Sequence, residues 1–108
     1  GCGGERDKEK RPLMGKIATD LSDYVILTSD NPRMEDPKQI IDDMIQNLDN
    51  KNYEIVINRK NAINKGIQKL VKNDILLILG KGHEKYQVIG KEKIDFDDKK
   101  IVLDIIRR

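Results

Sequence analysis

The stretch YVILTSDNPRMEDPKQIIDDMIQNL, Tyr24–Leu48, decides how this chain folds. Its first part, YVILTS, is a short apolar, β-branched run of the kind buried on both faces of a parallel sheet. Its last part, PKQIIDDMIQNL, brings Ile40, Ile41, Met44, Ile45 and Leu48 onto one helical face, with proline near the start. Between them, TSDNPRMEDP holds an arginine, an asparagine, three acidic residues and two prolines. A plain connector needs roughly two to six residues and one breaker. This loop carries more chemistry than a turn requires.

The same alternation continues on either side. RPLMGKIATDLS (11–22) spaces Leu13, Ile17 and Leu21 four apart as a helical stripe, with Pro12 in the first turn. YEIVI (53–57) reads as a strand. NAINKGIQKLV (61–71) spaces Ile63, Ile67, Leu70 and Val71 as a helix, in which Gly66 costs about 1 kcal/mol. DILLILG (74–80) reads as another fully buried strand, ended by glycine. YQVI and KEKI flank Gly90-Lys91 as an edge β-hairpin. DDKKIVLDIIRR (97–108) closes the chain as a helix with aspartates at its start and arginines at its end, matching the helix dipole. Helices alternating with buried strands predict an α/β fold, a three-layer, Rossmann-like and mostly parallel sheet with a C-terminal hairpin.

The opening residues, GCGGERDKEK, form a glycine-rich polar loop with no strand before it. Such loops normally hang from a strand end, so the sequence predicts a chain that starts just after its first strand. In parallel sheets ligands sit beyond the carboxyl ends of the strands. Three polar loops leave those ends: GCGGERDKEKR, SDNPRMED and GKGHEKY.

Composition narrows what those loops could bind. The 108 residues suffice for one domain with a modest core. Charged residues make up 37% but nearly cancel, leaving a net charge of +2, and aromatics are 4%. Neither a basic stripe nor a stacking platform for nucleic acid is present. No apolar run approaches the roughly 20 residues that cross a bilayer, and no signal-peptide pattern appears. A single cysteine, Cys2, has no partner for an internal disulfide, and a reducing, cytoplasmic setting is the simplest reading.

The loops offer Arg6, Arg11, Arg33 and Lys81 as cations and Asp30 and Glu84 as anions. A ligand matching both carries carboxylate and ammonium groups together, as an amino acid does. Arginine grips a carboxylate in a bidentate fork, and Asp or Glu accepts from an ammonium. GCGGERDKEK lacks the Lys-Ser/Thr ending of a P-loop and GKGHE is too short for one, so the chain shows no ATP site of its own. His83, the only histidine, has no Cys or His partner for a metal; it reads more simply as a loop residue orienting its neighbours than as a general base. Cys2 reads as inert. No nucleophile–base triad and no zinc site stand out.

Four segments, GCGGERDKEKRPLMG, TSDNPRMEDP, NRKNAI and LLILGKGHEKYQ, in this order and spacing, resemble the Mur ligases and, within them, the MurE group. These are the UDP-N-acetylmuramoyl-L-alanyl-D-glutamate ligases that add the third residue of the peptidoglycan stem peptide in bacteria. The resemblance covers essentially the whole chain and implies that residues 1–108 are the C-terminal, amino-acid-binding domain, with the UDP-substrate and central ATPase domains absent. Asp30-Asn31-Pro32-Arg33 looks like the D-N-P-R signature of enzymes adding meso-diaminopimelate, whereas lysine-adding relatives lack that arginine. Diaminopimelate differs from lysine by a carboxylate on the far carbon, which a guanidinium reads naturally. A charge-assisted hydrogen bond of this type is worth about 1.5–3 kcal/mol, roughly 10- to 150-fold in discrimination.

By matching position, the resemblance implies that Arg6, Asp30, Asn31, Pro32, Arg33, Gly80 and Glu84 bind the amino acid, with Arg11, Lys81 and His83 in support. Glu84 would take the far ammonium beside the Gly80 carbonyl. It further implies ATP and Mg²⁺ in the full-length enzyme, bound by the missing central domain together with the P-loop and a carbamylated lysine. It implies no catalytic residue and no metal in this chain. The ligase would join diaminopimelate to UDP-MurNAc-L-Ala-D-Glu, without nucleic acid or membrane as partner. Three other readings remain open: a related substrate such as meso-lanthionine or L-lysine, a free-standing amino-acid-binding module, and a purely structural α/β domain. Exposed apolar surface beside an absent strand would favour self-association.

Overall fold

The computed structural model describes residues 1–107; Arg108, the second of the two arginines expected at the final helix end, lies outside them. Helix α1 spans Lys10–Leu21, strand β1 Val25–Leu27, α2 Pro37–Met44, β2 Tyr53–Ile55, α3 Arg59–Lys69, β3 Tyr86–Ile89, β4 Glu92–Asp95 and α4 Asp98–Ile106. β1 and β2 pair in parallel, Ile26 opposite Glu54, and β3 and β4 form the antiparallel hairpin, Ile89 opposite Glu92 across Gly90-Lys91.

The period of β1 builds three layers. Leu27 is buried with Ile40, Ile41 and Met44 of α2, and Val25 and Tyr53 pack against the same cluster. Ile26 points the other way, its Cδ1 within 3.7 Å of where a side chain on Gly66 of α3 would begin. Successive strand residues face opposite sides, so α2 covers one face of the sheet and α3 the other. α1 packs beside α2, and α4 beside α3. Each helix after the first strand begins at a side-chain cap: Asp36 accepts from the Lys38 amide, Asn58 from Asn61, and Asp97 from Lys99 and Lys100.

Three expectations from the sequence are corrected. The Leu13/Ile17/Leu21 stripe of α1 is not core: those residues are 60%, 58% and 83% exposed, because α1 meets its neighbours through buried Arg11, Gly15 and Thr19. α2 stops at Met44, four residues early, and Ile45 is its C-cap. Most consequentially, 74–80 is not a paired, buried strand. Ile75, Leu77 and Leu79 are 83%, 72% and 69% exposed while Leu76 and Ile78 are half-buried. That alternation belongs to extended backbone, but no ladder joins it to β1. Between β1 and this segment opens a cleft of about 840 Å³, walled by the apolar side of α1 and by Ala62, Ile63 and Gly66 of α3.

Candidate functional site

All three polar loops meet at the carboxyl end of β1. The Gly4 amide donates to the Asn31 carbonyl at 2.7 Å, which seats the glycine-rich loop on the Asp30–Arg33 loop. A Cβ on Gly4 would lie 1.8 Å from the Pro32 carbonyl oxygen, so no larger residue fits there. Pro32 itself is fully buried. From the other side, Lys81 Nζ donates to Asn31 Oδ1 at 2.8 Å and sits 3.0 Å from Asp30 Oδ1. Asn31 Oδ1 also accepts from the Val88 amide at 2.9 Å, and its Nδ2 donates to Glu84 at 3.4 Å. One asparagine side chain therefore links the loop after β1, the GKGHE loop and the hairpin.

The hairpin is hung on the backbone of Arg33. Its amide donates to the Val88 carbonyl at 2.9 Å, and its carbonyl accepts from the Gly90 amide at 2.6 Å. Arg33 holds φ +55°, a left-handed conformation uncommon outside glycine. Its guanidinium donates from Nη1 to the Gly4 carbonyl at 2.9 Å and lies over Gly3, as does the Cγ of Arg6. Among the described residues no carboxylate lies within ion-pair distance of Arg33 or Arg6. Both keep donors free for an anion.

The Asp30 carboxylate lies beside Gly80. Gly80 takes φ +115°, open to glycine alone, and a side chain there would begin 3.3 Å from the Gly1 carbonyl oxygen and 3.7 Å from Asp30 Oδ2. Asp30 Oδ1 is buried against the Lys81 ammonium at 3.0 Å, and Oδ2 is the oxygen on the Gly80 side. Arg6, Asp30 and Gly80 line a pocket of about 350 Å³, floored by Cys2 and Met14. Asn31, Pro32, Arg33 and Glu84 do not line that pocket: Arg33 reaches it only where its guanidinium lies over Gly3, and Glu84 is bonded to Asn31 behind it. Glu84 is partly exposed and accepts from the Tyr86 hydroxyl at 3.4 Å.

Two of the four cations expected to meet a ligand are engaged inside the protein instead. Arg11 is buried, 2.6 Å from Glu35 and 2.8 Å from Asp43, and donates to the Gly3 carbonyl at 3.2 Å. The Arg11 hydrogen bonds hold the Glu35 and Asp43 carboxyls below their ordinary range, against an opposing push from burial. Lys81 is fully buried and neutralised by Asp30. Both support the loops from behind rather than offering free charge. His83 is exposed on its loop. Cys2 is buried with its thiol 3.4 Å from the Met14 sulfur, and burial pushes its pKa up, in keeping with an inert role.

Sequence reasoning missed several supports. Gln87, buried in β3, donates to the Asp30 carbonyl at 2.7 Å and to the Ser29 hydroxyl at 3.0 Å. A glutamine inside the apolar run YQVI was the available signal. Glu35, Asp43, Arg59 and Asp98 gave no local sign of their partners. Among the described residues no three His, Cys, Asp or Glu side chains gather into a metal-binding group, and no helix is long and apolar enough to cross a membrane.

Glycine-seated loops, two arginines without an acidic partner among the described residues and the Asp30 carboxylate gather at the carboxyl end of β1. The profile of the family "Mur ligase, glutamate ligase domain" matches residues 1–82, and the chain belongs to that family. It is 51% identical over 107 residues to a UDP-N-acetylmuramoyl-L-alanyl-D-glutamate–2,6-diaminopimelate ligase of Clostridium acetobutylicum, covering 99% of this chain and 22% of the relative. The corresponding ligase of Rickettsia bellii is 57% identical over 101 residues, covering 94% and 21%. A solved structure of such a ligase superposes with a TM-score of 0.95 at 46% identity, over 99% of this chain and 22% of that one. The chain thus spans about a fifth of the length of these relatives. Their fold in this region, an α/β domain with a parallel sheet and an antiparallel hairpin, is the fold described above.

Proposed function

We propose that residues 1–108 form the acceptor-binding domain of an ATP-dependent ligase that adds meso-diaminopimelate to UDP-MurNAc-L-Ala-D-Glu in cytoplasmic peptidoglycan synthesis. The observation that carries this reading is the free guanidinium of Arg33. It is seated by the Gly4 carbonyl, lies beside Arg6 over Gly3, and has no acidic partner among the described residues. A substrate with one amino-acid end would leave it without a partner, and a diamino diacid supplies the second carboxylate. Arg33 would read that far carboxylate, and Asp30 and Glu84 would accept from its ammonium groups.

In this reaction the acceptor amine attacks an activated D-Glu γ-carboxylate, the activation being supplied by ATP and Mg²⁺ bound in the larger enzyme. The work of these loops is to bind and orient the nucleophile, and closure of the domain over its neighbours would complete the site. This chain alone would then bind acceptor without turning it over.

The test is an NMR titration of the chain with meso-diaminopimelate and with L-lysine, repeated on Arg33→Ala. Shifts confined to the three loops, seen with diaminopimelate and abolished in the variant, are expected. Equal responses to both ligands would reject the assignment of Arg33 as the reader of the second carboxylate.

A further inference from the structure

The segment NRKNAI supports the family assignment but has no role in the site described above. Asn58 caps α3. Arg59, 2% exposed, reaches inward and joins four parts of the chain. Its Nε and Nη2 grip Asp98 at 2.9 and 2.7 Å, a bidentate pair at the first turn of α4. Nη1 donates to the Ser29 carbonyl at 3.2 Å, and Nη2 to the Leu79 carbonyl at 3.3 Å.

Ser29 and Leu79 immediately precede Asp30 and Gly80. The Ser29 carbonyl lies two residues past β1 and the Leu79 carbonyl ends the extended 75–79 segment, and among the described residues no sheet pairing joins the two across the cleft. The guanidinium therefore bridges the two ends where the ladder does not. A buried ion pair is by itself weak evidence for stability, since apolar side chains of equal volume often serve as well. Leucine or methionine could not donate to the two carbonyls, and lysine lacks the planar fork that meets Asp98 and both carbonyls at once.

We propose that Arg59, oriented by Asp98, is a positioning residue that sets the spacing between Asp30 and Gly80 and so the width of the acceptor pocket. The inference rests on the acceptor-site reading for its ligand, and on geometry alone for the spacing. Misplacing a binding group by about an ångström can cost on the order of 100-fold.

The test compares Arg59→Lys and Asp98→Asn with Ile41→Val, a cavity variant in the opposite layer. All are studied by NMR under conditions where each remains folded. Without ligand, the Asp30 and Gly80 amide resonances move in Arg59→Lys and Asp98→Asn and stay in place in Ile41→Val. With meso-diaminopimelate, affinity falls roughly 10- to 100-fold in the first two and is unchanged in the third. Unmoved Asp30 and Gly80 amides in both clamp variants would overturn the proposal, whatever the ligand does. If the unmodified chain binds no diaminopimelate, the acceptor reading fails, and the ligand-free resonances still decide the role of Arg59.

Discussion

Lys81 Nζ lies 2.8 Å from Asn31 Oδ1, with both side chains buried and 50 residues apart in sequence. The contact turns the most basic group of the GKGHE loop into an internal bolt. Lys81→Met is expected to leave Asp30 as a nearly buried, unpaired carboxylate and to cost about 3–5 kcal/mol. Urea unfolding measures it, and a loss under 1 kcal/mol would show that Lys81 is dispensable to the bolt.

Arg11 makes stability depend on acid. Its hydrogen bonds depress the folded-state pKa values of Glu35 and Asp43. The folded state then binds fewer protons than the unfolded one, so this stabilisation is complete above the unfolded carboxyl range, about pH 4–5. It is lost as pH falls through the lower folded values. Urea midpoints between pH 7 and pH 3 should fall steeply in the unmodified chain and more gently in Arg11→Met. Identical slopes would place the acid sensitivity elsewhere.

Gly4→Ala tests how closely the glycine-rich loop rides on Pro32. The added methyl would sit 1.8 Å from the Pro32 carbonyl oxygen, so backbone must move. Overpacking of this kind costs about 1–3 kcal/mol. Because the Gly4 carbonyl seats Arg33, diaminopimelate binding should weaken as well. Wild-type binding with reduced stability would separate the seat from the site.

The cleft face is expected to make the chain self-associate. Ile75, Leu77 and Leu79 lie on one exposed side of an unpaired segment, opposite the uncovered Ile17 and Leu21. Unpaired extended backbone with an apolar face recruits further strands. Sedimentation velocity should show mass rising with concentration, reduced in Leu77→Lys. A monomer at every concentration would refute this.

Much of the loop cluster was legible because it is local. Asp30-Asn31-Pro32-Arg33 and Gly80 are contiguous in their loops, and strand-then-loop-then-helix order places such loops at one sheet edge. Gln87, Arg59 and Asp98 were not legible, since each acts on a partner at least 20 residues away. The DILLILG segment misled because hydropathy reports a preference for burial, not the presence of a neighbour to supply it.

The sequence by itself determined the order of elements outside residues 74–80, the family, and which residue types stand in the three loops. Those are properties of local pattern: period 2 in β1, helical period in α2, and Arg, Asp and Gly at strand ends. The tertiary structure alone decided which of those charges remain free. Arg11 and Lys81 are neutralised by Glu35, Asp43 and Asp30, while Arg33 and Arg6 keep open donors. A charge carries its sign in the sequence, but whether it is available depends on what packing brings within about 4 Å of it.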